Sequence, residues 1–137
     1  MKYILIIFIL LILFLILKKK ERFVNNLTPF PIDIVYTWAG EKDDDDIRTR
    51  NNNELKFSLR SIIKYAPWVN RIFILMNPPK KKPSWFNEEY KKIITVVDHK
   101  ETFPSNNYLP NTNSNAIETT LHNIPNLSEH FIYFNDD

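Results

Sequence analysis

The sequence predicts an α/β fold, a mostly parallel sheet flanked by helices and preceded by an N-terminal apolar helix. Three observations carry this. Residues 32–38, 71–76, 93–98 and 131–134 are short runs rich in β-branched and aromatic residues, the composition of strands. The segments between them show helical spacing of apolar residues or suit a short helix. The strand runs are apolar without strict alternation, as expected where both faces of a parallel sheet are covered.

At the N-terminus, residues 3–17 carry no charge and are almost wholly aliphatic or aromatic. As a helix they extend roughly 22 Å at about 1.5 Å per residue, against a hydrocarbon core of about 30 Å. Lys18, Lys19, Lys20, Glu21 and Arg22 come next, and there is no small-residue cleavage site. Lysine stems can snorkel and lengthen a short span. Residues 1–22 are therefore expected to form an uncleaved single-pass transmembrane helix, with a cleaved signal peptide as the alternative. The implied location is the membrane. Its side stays open: the basic flank places the C-terminal side in the cytosol, whereas the sequons at Asn26 and Asn126 would matter only in a lumen.

Residues 23–31 form a proline-containing linker, and 32–137 the domain. After the first strand comes a loop with Asp43, Asp44, Asp45 and Asp46, a cation site or a solvated loop. Residues 52–66 read as a helix with Leu55, Leu59, Ile62, Ile63 and Ala66 on one face, stopped by Pro67. Residues 77–83 are a proline- and lysine-rich turn, 84–92 suit one short helix, and 99–113 form a long loop of the kind that often carries function. Residues 115–124 read as a helix with Ile117, Leu121 and Ile124 in its stripe.

Several classes are disfavoured. Cysteine is absent, so there is neither a disulfide nor a thiolate metal site. A net charge of +2, with lysines in two short runs, does not point to nucleic acid. Gly40 is the single glycine, which disfavours a glycine-rich phosphate loop.

Ligands of parallel α/β sheets bind outside the carboxyl ends of the strands. Tyr36, Thr37 and Trp38 close the first strand, Asp98 and His99 the third, and Asn135, Asp136 and Asp137 the fourth. Adjacent carboxylates at such an end suit Mg²⁺ or Mn²⁺, or else mark a turn. Ser114 and Glu118 share a helix face, with Ser114 a phosphate contact at the helix N-terminus, or the two are a cap and a flanking glutamate. His99 reads as a base or a structural histidine, and Arg60 as a solvated side chain.

Taken in order, many blocks resemble the Stealth family of hexose-1-phosphate transferases. The segment from Ile32 to Trp38 is similar to its first conserved region, and 48–137 to its second. The second is carried by Asn53-Glu54-Leu55-Lys56-Phe57-Ser58-Leu59-Arg60-Ser61-Ile62, Tyr65-Ala66-Pro67-Trp68-Val69, Pro83-Ser84-Trp85, Val97-Asp98-His99-Lys100, Leu109-Pro110, Asn113-Ser114-Asn115-Ala116-Ile117-Glu118, and Phe131-Ile132-Tyr133-Phe134-Asn135-Asp136-Asp137. The resemblance implies a Rossmann-like sheet, truncated here after the fourth strand. It implies transfer of a hexose 1-phosphate from a nucleotide diphosphate sugar to a glycan hydroxyl, with Mg²⁺ or Mn²⁺. It further implies Ser114, Glu118 and Asp137 as catalytic residues. With the strand-end positions, Asp136 and Asp137 are assigned as metal ligands, and Tyr36, Thr37, Trp38, Arg60 and His99 as substrate-binding residues. Ala39-Gly40 stands where the family has Val-Asn-Gly. The family's third and fourth regions, which supply a histidine and an arginine, have no counterpart here. They are expected to come from a separate chain. The alternatives are a membrane-anchored, non-catalytic remnant that binds a nucleotide sugar or a partner protein, and a truncated reading frame.

Overall fold

The computed structural model describes residues 2–25, 28–40, 52–77, 82–86 and 90–135. The chain divides into two units, Met1–Phe30 and Pro31–Asp137. The first contains helix α1 (Lys2–Asn25), whose side chains from Leu5 to Leu17 are 43–65% exposed. Among the described residues, no helix is long and apolar enough to cross a membrane. The expected transmembrane helix is therefore not supported. The charge-free stretch is only 15 residues long, and Lys18 turns its ammonium back over the Phe14 ring, 5.7 Å from the centroid. Charge thus sits beside the last turn of the apolar run.

The second unit comprises β1 (Ile32–Thr37), α2 (Glu54–Tyr65), β2 (Ile72–Met76), β3 (Ile94–Asp98), α3 (Ser114–Glu118) and β4 (His130–Phe134). The four strands form one parallel sheet in the order β3-β2-β1-β4. The chain steps outward from β1 to β2 to β3, then returns to the far side of β1. The strand order reverses between β1 and β4, and their carboxyl ends flank the crevice where such sheets bind ligands.

Alternation along the strands divides the core between two faces. On one face Ile34, Tyr36, Ile72, Ile74, Ile94 and Val96 pack with Leu55 and Leu59 of α2. On the other, Val35, Phe73, Leu75 and Val97 pack with Ile117, Leu121 and Ile124. Covering both faces is what lets β1 and β2 be apolar on each side.

Three local expectations change. The helix expected over 115–124 breaks after Glu118 and resumes as a 3-10 turn at Leu121–Asn123. Thr119 Oγ1 donates to the Ala116 carbonyl at 2.8 Å, and Thr120 Oγ1 to the Ile117 carbonyl at 2.8 Å. Such back-bonding competes with helix continuation. The short helix expected over 84–92 is, among the described residues, only a 3-10 turn at Tyr90–Lys92. There Trp85, Phe86 and Tyr90 gather with ring centroids 5.6–6.1 Å apart, against the α2-side core. The loop 99–113 contains two 3-10 turns, His99–Glu101 and Asn106–Tyr108. A capping box from Asp98 and Glu101 closes the first, and Ser105 caps the second.

A buried carboxylate fixes the opposite, amino-terminal end of the sheet. Asp33 is completely buried. Its Oδ1 accepts from Asn70 Nδ2 at 2.8 Å, and its Oδ2 from the Ser128 backbone N–H at 2.8 Å and Arg71 Nη2 at 3.2 Å. Arg71 Nη2 also donates to the Asn126 carbonyl at 2.5 Å, where the turn before β4 takes a left-handed conformation, φ 63°. One side chain on β1 thus holds the entries to β2 and β4. We expect Asp33→Ala to lower the unfolding free energy by about 3 kcal/mol, the usual cost of stranding the partners of a buried charge. Arg71 is 40% exposed, so Arg71→Met should cost only about 1 kcal/mol, because solvent screens that pair. Urea unfolding of the two variants checks the order.

Candidate functional site

The carboxyl edge gathers several polar groups at the reversal point. Tyr36 pairs with Phe134 in the β1–β4 register, which sets Thr37 beside Asn135. Thr37 Oγ1 donates to Asn135 Oδ1 at 3.0 Å. Tyr133 pairs with Val35, so its ring lies on the α3 side, against that core. Its hydroxyl lies 3.0 Å from Thr37 Oγ1, 3.4 Å from Asn135 Oδ1 and 3.4 Å from Glu118 Oε1. Residues from β1, β4 and α3 thereby converge within hydrogen-bonding reach.

The position of α3 arises from a series of asparagine bonds. Asn77, just past β2, accepts from the Asn111 N–H at 3.2 Å and donates to the Asn111 carbonyl at 2.9 Å, satisfying both backbone polar groups of that residue. Asn111 Oδ1 accepts from the Asn113 N–H at 2.9 Å, and Asn113 Oδ1 caps α3 through the Asn115 N–H at 3.1 Å. The chain is thus tied from the end of β2 to the first turn of α3. Ser114 opens that helix and Glu118 closes it, both exposed.

Other residues expected in the site lie elsewhere. Tyr36 is buried, its ring stacked on Phe134 at 5.2 Å and its hydroxyl 2.6 Å from Ser58 Oγ. Burial pushes its phenol pKa up, and the Ser58 hydrogen bond works against that. Trp38 is buried in the α2-side core, and Arg60 is exposed on α2. The hydrogen bonds that join Thr37, Tyr133 and Glu118 involve none of these three. Asp136 and Asp137 lie outside the described residues, as do the four aspartates at 43–46. The oxygen-only donors of Glu118, Asn135 and Thr37 match the preference of a hard cation. Among the described residues, however, no group of three or more His, Asp or Glu side chains could hold a metal ion.

Tyr133 is a member of the site that sequence reasoning did not single out, and Asn135 is marked in the sequence only as one of the polar residues closing the fourth strand. The available signal was strand alternation, which puts both on one face of β4. What the sequence lacked was the β1–β4 pairing that sets them against Thr37.

His99 stands apart, beyond the end of β3, two strands from β1 and hence about 10 Å to the side. Its side chain is 2% exposed and its ring lies 5.7 Å from that of Phe103. Among the described residues its buried Nδ1 has no hydrogen-bond partner. Burial holds the imidazole pKa below the ordinary histidine value, and the neighbouring Asp98 charge opposes the shift. The unfolded chain then binds the proton more readily than the folded one, so stability is full above about pH 6.5 and falls as pH drops below it. We expect the urea midpoint to decrease between pH 7.5 and pH 5.5, and His99→Phe to flatten that decrease. Equal slopes for both proteins would refute the assignment.

Comparison with known proteins places this arrangement. The model of the family described as Stealth protein CR2, conserved region 2, matches residues 48–137. The chain is 42% identical to the capsular polysaccharide phosphotransferase fcs1 of Haemophilus influenzae, across 88% of this chain and 38% of that protein. It is 41% identical to the capsular polysaccharide phosphotransferase LcbA of Neisseria meningitidis, across 82% of this chain and 36% of that protein. The chain therefore spans less than two-fifths of the length of these curated relatives. With the family region running from α2 through β2 and α3 to the end of β4, the chain belongs to the Stealth family of phosphotransferases.

Proposed function

We propose that this chain forms the sheet and crevice of a transferase that moves a hexose 1-phosphate from a nucleotide diphosphate sugar to a glycan hydroxyl. The observation that carries the reading is the convergence of Thr37, Tyr133 and Glu118 at the β1–β4 reversal. Family membership and relatives named for capsular polysaccharide phosphotransfer support the reaction class.

In this reading, an acceptor hydroxyl oxygen bonds to the phosphorus that carries the sugar. The bond from that phosphorus to the bridging oxygen breaks, and nucleoside monophosphate leaves. The hydroxyl proton passes to the Glu118 carboxylate, while Ser114 donates its hydroxyl to a phosphoryl oxygen. Mg²⁺ or Mn²⁺ held by Asp136 and Asp137 would neutralise charge on the diphosphate. The remaining donors toward the transition state would come from the regions the relatives have beyond the matched portion. A second reading is binding of a nucleotide sugar without turnover.

The assay is metal-dependent release of nucleoside monophosphate from a panel of UDP- and GDP-sugars, with direct binding measured in parallel. Release that falls about 10²-fold in Glu118→Gln, and is lost in Asp137→Asn, supports the transferase. Binding without release supports the second reading. Absence of both refutes the site.

We further infer a membrane location through α1, whose apolar residues are exposed all around the helix. The chain should stay in the membrane pellet after carbonate extraction, and removal of residues 2–25 should release it. Recovery of the intact chain in the supernatant would contradict this.

A further inference from the structure

Among the described residues, the Tyr133 hydroxyl, with its one proton, has three neighbours that can accept it. Thr37 Oγ1 is 3.0 Å away, while Asn135 Oδ1 and Glu118 Oε1 are both at 3.4 Å. Thr37 also has one proton, and its partner at 3.0 Å is Asn135 Oδ1. With the Thr37 proton committed to Asn135, the short Thr37–Tyr133 contact requires the Tyr133 proton, and Glu118 receives none. A distance of 3.4 Å is long for a hydroxyl on a carboxylate, which closes to about 2.5–2.7 Å when the bond is made.

A second arrangement satisfies every group. A half-turn of the Asn135 amide presents its NH₂ to Thr37 Oγ1. The Thr37 proton then points at Tyr133, and the Tyr133 proton at Glu118. Each hydroxyl now donates once and accepts once. The chain ends on a carboxylate, the strongest acceptor present, and successive bonds polarise one another. The geometry of the hydroxyls is the same in both arrangements; only the protons and the amide differ.

We propose that Tyr133 is a positioning residue for Glu118, and that Thr37 and Asn135 set the direction of its proton. Thr37 is thereby assigned to the support of the site, in keeping with its 8% exposure. Tyr133 is suited to this by its backbone. It sits on a strand paired to β1 through five residue pairs, so its ring is carried by the sheet, whereas Glu118 ends a helix of five residues. The rigid partner orients the less constrained one. The consequence for catalysis rests on the role proposed above for Glu118; the hydrogen-bond coupling does not.

The test uses the full chain in detergent micelles, labelled with carbon-13 at the glutamate side-chain carboxyl. The Glu118 signal is identified by its loss in Glu118→Gln. Tyr133→Phe should move that signal. Thr37→Val, a change one hydrogen bond removed from Glu118, should move it in the same direction, and should add nothing on the Tyr133→Phe background. Thr37→Ser keeps the hydroxyl and should restore the wild-type position, which separates proton direction from packing. A Glu118 signal indifferent to Thr37→Val, or to Tyr133→Phe, overturns the proposal. In the release assay, Tyr133→Phe should lower kcat on the order of tenfold with KM within about twofold, the pattern of lost orientation. If the carboxyl signal couples as described while Glu118→Gln retains full turnover, the positioning stands and the catalytic role of Glu118 is what fails.

Discussion

The architecture hangs on one buried carboxylate. Asp33 occupies a core position of β1 that would otherwise take an aliphatic side chain, and it is completely buried there. Its hydrogen bonds go to Asn70 and Arg71, where the chain enters β2, and to the Ser128 N–H, where it enters β4. A carboxylate withdrawn from water is tolerated only when its lone pairs are filled by well-placed donors. That condition is met only if both neighbouring strands lie beside β1. An aliphatic residue would pack equally well in several sheet orders. The charge makes the order specific, because other arrangements would leave it unpaired.

With the amino-terminal ends fixed, the carboxyl ends are arranged by side-chain amides and hydroxyls. The Asn77–Asn111 pair, the Asn113 cap and the Thr37–Asn135 bond are all side-chain contacts at the carboxyl edge of the sheet. A chain with a single glycine has little scope for a loop of backbone N–H groups folded close around a phosphate. Asparagine supplies a donor and an acceptor on a side chain instead. The structural role of these asparagines gives weight to residues that, in an asparagine-rich sequence, carry little signal.

Much of the fold is legible in the sequence. The four strands are marked within a residue or so at either end, because parallel strands buried on both faces write themselves as apolar runs. The location of the site at their carboxyl ends comes from the same reading. Other features depend on pairing that no local pattern encodes. The break after Glu118 is hidden because Ile117, Leu121 and Ile124 keep helical spacing across it; only the carbonyl bonds of Thr119 and Thr120 interrupt the helix. Tyr133 reads as an ordinary strand aromatic until β4 is set beside β1. His99 looks like a residue of an open loop, yet it is buried as the first residue of a capped 3-10 turn. Tyr36 and Trp38 lie at the right end of β1, but their side chains point into the α2-side core, which alternation foretells once the face of Thr37 is known.

The reversal of strand order also sets when the site can exist. β1 and β2 meet through residues 38 apart, as at Asp33 and Arg71, whereas Thr37 and Asn135 are separated by 98. Closing the longer loop costs more chain entropy, and in sheets of this kind distant pairings lag behind near ones. The β1–β2–β3 layer can therefore assemble while the partner of Thr37 is still unbound. The seam between β1 and β4 is the last to zip, and the bonds of Thr37 to Tyr133 and Asn135 cross it. The contacts of Thr37 with Tyr133 and Asn135 are thus acquired at the end of folding, in the same step that completes the sheet.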